Sequence, residues 1–210
     1  MEFVPIEQNR QTLGEQAYGS IRNAIITLQL KPGQMVYESK LASSLGVSRT
    51  PIREAFRSLL NEELIEILPQ RGARIAYISE KKVKEAAFVR ECLEVKAIEE
   101  IAKHWDSETA GATEQELLAL IEKQREAAEN EDADRFLQLD ESFHHKLLSQ
   151  LNNDTLLDVV FHMRGHLNRM RYLALEQLND MDQPIGEHEA LFQAIISNQV
   201  TETANYMKHH

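Results

Sequence analysis

Only one stretch of this chain alternates apolar and polar residues in the manner of a strand: LIEILPQRGARIAYI, residues 64–78. It reads as two short strands joined by a turn at PQRG. On either side the apolar residues recur at three- and four-residue spacing, the pattern of amphipathic helices. From Ser79 onward nothing has the period of a strand. One hairpin in an otherwise helical chain makes the fold class mostly α.

The order of elements before the hairpin is informative. Leu13, Ala17, Ile21, Ala24, Ile25 and Leu28 form a helical stripe over residues 11–29, and LKPGQ ends it through Pro32 and Gly33. ESKLASSLG predicts a short second helix, with Leu41, Ala42 and Leu45 facing inward and Gly46 as its stop. VSRTPIREAFRSLLNEE predicts a third, capped by Ser48 or Thr50. Pro51 then falls in its first turn, where a missing N–H costs little. Helix, helix–turn–helix and hairpin is the order of a winged helix–turn–helix, which assigns residues 1–78 to that domain. Beyond it, helices are predicted at about 80–105, 113–130, 132–151, 154–179, 184–198 and 200–210, with Thr113, Asp132 and Asp154 as caps. Residues 79–210 should therefore form one all-helical bundle of about six helices.

Charge divides the chain at the same place. The formal net charge is -11, yet residues 1–78 carry 9 Lys+Arg against 8 Asp+Glu, and residues 79–210 carry 14 against 26. The acidity belongs to the second part, so it does not argue against nucleic acid as a partner of the first. Cys92 is the single cysteine, so an intramolecular disulfide is excluded. MEFVPIEQNR lacks the cationic start and apolar run of a signal peptide. No apolar run approaches the ~18 residues of a membrane span. The expectation is a soluble, cytoplasmic protein with no membrane partner.

Arg49, Arg53 and Arg57 are spaced four apart on the third helix and share one face, while Ile52, Phe56, Leu59 and Leu60 occupy another. A guanidinium fork can grip phosphate or the O6/N7 edge of guanine, and a helix N-terminus adds N–H donors and positive potential. Ser48 and Thr50 add hydroxyls at the same end. At the hairpin tip, Arg71 can reach a groove or a phosphate and Gly72 allows close backbone approach. The plainer alternatives are a solvated arginine face and an ordinary turn. The helix before and the hairpin after favour a recognition helix and wing reading double-stranded DNA.

In the second part, LDESFHHKLL places Asp140 and His144 one turn apart, beside Leu139, Phe143 and Leu147. His188 and His210 lie on two later helices. One carboxylate and three imidazoles suit a divalent metal such as zinc, nickel or manganese. By spacing alone, Asp140 and His144 are equally a simple hydrogen-bonded pair, and His162 and His166, also four apart, compete as ligands. His145 reads as a surface residue and His104 as a helix end.

Two sets of residues carry a resemblance to a known family. LKPGQMVYESKLASSLGVSRTPIREAFRSLLNEELIEILPQRGARIA resembles the DNA-binding domain of the GntR family of bacterial transcription regulators. VRECLEVKAIEEIA, LDESFHHKLL, EHEALFQAI and ANYMKHH resemble the helical FCD-type effector domain of its FadR subfamily. The resemblance implies a homodimeric, ligand-responsive regulator, read here as a repressor, binding a palindromic operator through Arg49, Thr50, Arg53 and Gly72. It further implies a divalent metal on Asp140, His144, His188 and His210, and a small organic acid as effector near it, for which Arg90 is the candidate partner. Two features depart from the family pattern. Glu63 stands where a Gly commonly precedes the wing, and the sequence stops at His210 where the last helix usually continues. The rival reading from another class is a metal-dependent hydrolase, with Glu141 or Glu187 as its base, in which the arginine helix would have no role.

Overall fold

The computed structural model describes residues 12–69, 71–178 and 180–210. The reading of the first ten residues as no signal peptide, the helix start at Gln11, the turn residue Gln70 and the helix end at Asn179 lie outside them. The chain divides into two compact units, with the break between Tyr77 and Ile78.

The first unit contains α1 (Leu13–Ile26), β1 (Met35–Val36), α2 (Glu38–Leu45), α3 (Arg49–Asn61), β2 (Ile65–Leu68) and β3 (Gly72–Ile75). Helix α1 opens on a capping box: Thr12 Oγ1 accepts from the Glu15 N–H, and the Glu15 carboxylate accepts from the Thr12 N–H at 2.8 Å. The sheet has three antiparallel strands, not two, in the order β1-β3-β2. Two residues after the Gly33 turn, Met35 and Val36, pair with Arg74 and Ala73. A strand that short carries no periodicity to read. Ala17, Ile21, Ile25, Ile52, Phe56, Leu59, Leu64 and Ile75 form the core. Leu45 and Leu60, expected inside, are 38% and 42% exposed. Arg22 pairs with Glu62 at 3.0 Å, both almost fully buried, and Tyr18 also donates to Glu62. This buried pair ties α1 to the C-terminal end of α3.

The second unit is helical throughout among the described residues. It contains α4 (Glu80–His104), α5 (Ser107–Glu129), α6 (Ala133–Leu148), α7 (Asp154–Leu178), α8 (Asp182–Ile196) and α9 (Val200–His209), with a short 3-10 turn at Ser149–Leu151. Helix α4 packs against α7 and α9, and α6 packs against α5 and α7. Two predicted starts move. Asp106 caps α5 through the Glu108 N–H, so Thr113 lies inside the helix. Asn153 Oδ1 accepts from the Leu156 N–H, so Asp154 is the first residue of α7 and not its cap. Asp132 caps α6 as expected.

Helix ends share one device. Gly46, Glu63, Glu131 and Asn198 all have positive φ, between 53° and 67°. After each, the next residue's N–H returns to the carbonyl five residues back, as in Leu64 to Leu59 and Val47 to Ala42. These are Schellman stops. Glu63, at φ 56°, therefore makes the left-handed turn that the family commonly gives to glycine. Asn198 does more: its amide donates to the carbonyls of Ala102 and Trp105 and so closes the end of α4.

Replacing Glu62 with alanine leaves the Arg22 guanidinium buried without its carboxylate. A loss of about 3 kcal/mol in unfolding free energy is expected, measured by urea denaturation followed through the circular dichroism of the full chain.

Candidate nucleic-acid interface and metal centre

Helix α3 begins at Arg49. Ser48 is its N-cap, with extended backbone (φ -74°, ψ 172°), but its hydroxyl makes no capping bond. Pro51 is the third helical residue, where no intrahelical donor is needed. Ile52, Ala55, Phe56 and Leu59 are buried. Their burial turns the opposite face outward, so Ser48, Arg49, Thr50, Arg53 and Arg57 are all exposed. Arg71 and Gly72 are exposed at the hairpin tip. Arg49 and Gly72 line one groove of about 350 Å³, together with Tyr37, Glu38 and Pro69. Sequence spacing alone could not bring helix start and wing tip together. Gly72 is also demanded by the sheet itself: its φ is 94°, and a Cβ there would stand 3.0 Å from the Val36 carbonyl oxygen.

In the second unit, Asp140 and His144 project from α6, His188 from α8 and His210 from the end of α9. Their ligand atoms lie within 4.8 Å of one another. Nε2 of His144 is 2.9 Å from Nε2 of His210, and Nε2 of His188 is 3.3 Å from both. The other ring nitrogens face acceptors. His188 Nδ1 is 2.7 Å from Gln124 Oε1, and His210 Nδ1 is 2.7 Å from Glu187 Oε2. His144 Nδ1 faces Glu94 Oε2 at 3.5 Å, too far out of line to bond. These acceptors assign the ring protons of His188 and His210 to Nδ1, and the Nε2 atoms of all three rings converge on one point. Protons do not readily fill that point. Burial pushes His144 well below its usual range, His188 to about 4 and His210 to about 2. A donor set of three imidazoles and a carboxylate, closed to protons, fits a divalent cation. His162 and His166 do not join the cluster.

Asp140 is fully buried, which alone would raise its pKa. The Arg171 guanidinium reverses this, with two bonds of 2.6 and 2.7 Å to the carboxylate, and holds Asp140 well below the usual carboxylate range. Arg90 Nε bonds Glu94 at 2.9 Å, and Arg164 bonds the same carboxylate from α7. Arg90 Nη2 and Arg164 Nη1 are buried donors with no hydrogen-bond partner. Arg90 borders a cavity of about 230 Å³ with Lys208, His209 and His210. A second cavity, of about 220 Å³, is bordered by Arg171, Gln183, Glu187 and His210. Arg164 and Arg171 went unnoticed in the sequence. Their seven-residue spacing on an inward helix face, with Asn168 between them, was the available signal.

The model of the gntR family of bacterial regulatory proteins matches residues 13–75, and the FCD domain model matches residues 85–210. The chain belongs to the GntR family. As a GntR regulator it binds DNA through its N-terminal domain and carries an FCD domain behind it. It is 28% identical over 204 residues to an HTH-type transcriptional regulator in an unstable DNA locus of Streptomyces ambofaciens, covering 97% of this chain and 84% of that one. It is 30% identical over 186 residues to the HTH-type transcriptional repressor RspR of Escherichia coli, covering 88% and 79%. The fold matches that of E. coli McbR/YncC with a TM-score of 0.84 at 19% identity, over 95% of this chain and 93% of that one. These relatives are regulators, not enzymes, which overturns the hydrolase reading. No helix among the described residues is long and apolar enough to cross a membrane.

Arg57 meets no carboxylate among the described residues, and its exposure suits a phosphate contact. Arg57→Ala should weaken binding to all duplexes alike and reduce the slope of log affinity against log salt by about one, read by fluorescence anisotropy across a salt series.

Proposed function

We propose that this GntR regulator is a homodimeric repressor whose DNA affinity is set by a small carboxylate effector, bound beside a divalent metal on Asp140, His144, His188 and His210. The observation that carries this reading is the convergence of three imidazole Nε2 atoms within 3.3 Å of one another, beside a buried carboxylate. Zinc, nickel and manganese all accept such a donor set. A bound divalent ion would supply a Lewis-acidic centre able to accept an effector oxygen.

The protein's own residues do the rest. Gln124 and Glu187 orient His188 and His210 through their Nδ1 protons. Arg171 holds Asp140 ionised and in place. Arg90 and Arg164, each with a buried donor that makes no hydrogen bond, supply directed bonds for a carboxylate. In a dimer, two recognition helices would enter successive major grooves about 34 Å apart, reading a palindromic operator. The effector changes operator affinity by its differential binding to the two placements of those helices. Repression is supported by the name of the E. coli relative RspR.

Metal content of the purified protein, measured by plasma mass spectrometry, should approach one divalent ion per chain, and His144→Ala should abolish it. A chelator should lower the melting temperature of the wild type and leave that of the His144→Ala variant unchanged. A panel of small mono- and dicarboxylic acids should include one that raises the melting temperature of the metal-loaded protein, by about 3 kcal/mol of stabilisation at a hundredfold excess over its Kd. A wild-type protein that neither contains nor takes up metal would overturn the proposal.

A further inference from the structure

Among the three arginines on the outward face of α3, one is treated differently. Arg53 Nε donates to Glu38 Oε2 at 2.8 Å, across 15 residues of sequence, from the recognition helix back to the first residue of α2. Arg49 and Arg57 have no carboxylate partner among the described residues. The Arg53 side chain remains 61% exposed and Glu38 36%. A pair so exposed contributes little to stability, and its carboxylate stands in a groove shared with Arg49 and Gly72, where a negative charge opposes DNA phosphate. On a surface built to meet a polyanion, such a charge carries a cost in affinity and needs a compensating use.

We infer that Glu38 is a positioning residue for sequence readout, holding Arg53 so that it reads a guanine and does not pair with the phosphate backbone. The chemistry lies in which nitrogen is taken. A guanidinium has five N–H donors in a planar fork. Glu38 engages the Nε edge and leaves the two terminal nitrogens, whose separation matches O6 and N7 of guanine. Fixing one edge removes torsional freedom from a long side chain before DNA arrives, so less ordering is left to be done on binding. The carboxylate also repels phosphate from this arginine, which penalises the sequence-independent mode. Arg49 and Arg57, without such a partner, stay adaptable to phosphate. A division of labour among three chemically identical side chains follows from one acidic neighbour.

The test works without an identified operator. Full-length wild type, Glu38→Gln, Glu38→Ala, Arg53→Ala and the Glu38→Gln/Arg53→Ala double variant are each selected against a duplex library with a randomised core, at one fixed salt concentration, and the bound duplexes are sequenced. The wild-type profile should hold a guanine in each half-site that Arg53→Ala loses. Both Glu38 variants should lose preference at that same guanine, by about tenfold, and keep the other positions. Their affinity for a bulk non-specific duplex should be unchanged or higher. The double variant should be no worse at that guanine than Arg53→Ala alone. Melting temperatures should match the wild type, because the pair is exposed. Glu38 variants with the wild-type profile, or with uniform loss across all positions, would overturn the inference. So would a wild-type profile containing no Arg53-dependent guanine.

Discussion

A carboxylate with no access to water must find a cation, and in the helical unit Asp140 finds Arg171. Burial and pairing are here one constraint: the two bonds of 2.6 and 2.7 Å keep the group ionised where desolvation would neutralise it. The pair joins α6 to α7. Glu94 repeats the arrangement with Arg90 and Arg164, joining α4 to α7. The three histidines come from α6, α8 and the end of α9, and Gln124 comes from α5, so the polar centre draws on all six helices, α4 to α9. Because each polar group is held by another, the imidazoles stand where they do for reasons beyond apolar packing.

The DNA-binding unit reaches a comparable outcome by simpler means. Ile52, Phe56 and Leu59 are buried one turn apart on α3, and the buried Arg22–Glu62 pair holds the end of that helix against α1. What remains outside is the cationic face. The sheet then brings the wing tip to the start of the helix, with Gly72 in a conformation and a space that a side chain would not share. Both units bury a few charges in pairs, but the first leaves an arginine face outside while the acidity lies in the second, which is why the net charge of the whole chain says so little about either.

Much of this was legible in the residues. Three helices, a hairpin and a helical remainder follow from periodicity, and Gly46 and Asp132 marked boundaries the structure keeps. The metal candidates Asp140, His144, His188 and His210 do meet. The errors have physical causes. Strand β1 is two residues long and exists only because β3 lies beside it. Thr113 looked like a cap because DSETAGAT is polar and small, while Asp106 had already started the helix. Glu63, Glu131 and Asn198 end helices in the left-handed conformation without being glycine, so a search for glycine stops finds only one of the four. Arg164, which meets Arg90 on the Glu94 carboxylate, and Arg171 were marked in the sequence only by a seven-residue spacing on one helix face, a signal too weak to name them without their partners.

The sequence by itself determined the family, the order of elements and the residue types able to meet DNA or a cation, because these depend on local period, caps and spacing along one helix. Tertiary structure decided which charges are paired. Arg53 with Glu38, Arg171 with Asp140 and His188 with Gln124 join residues 15, 31 and 64 positions apart. Local pattern cannot report such pairings, since a hydrogen bond depends on distance in space and on what burial has removed from water.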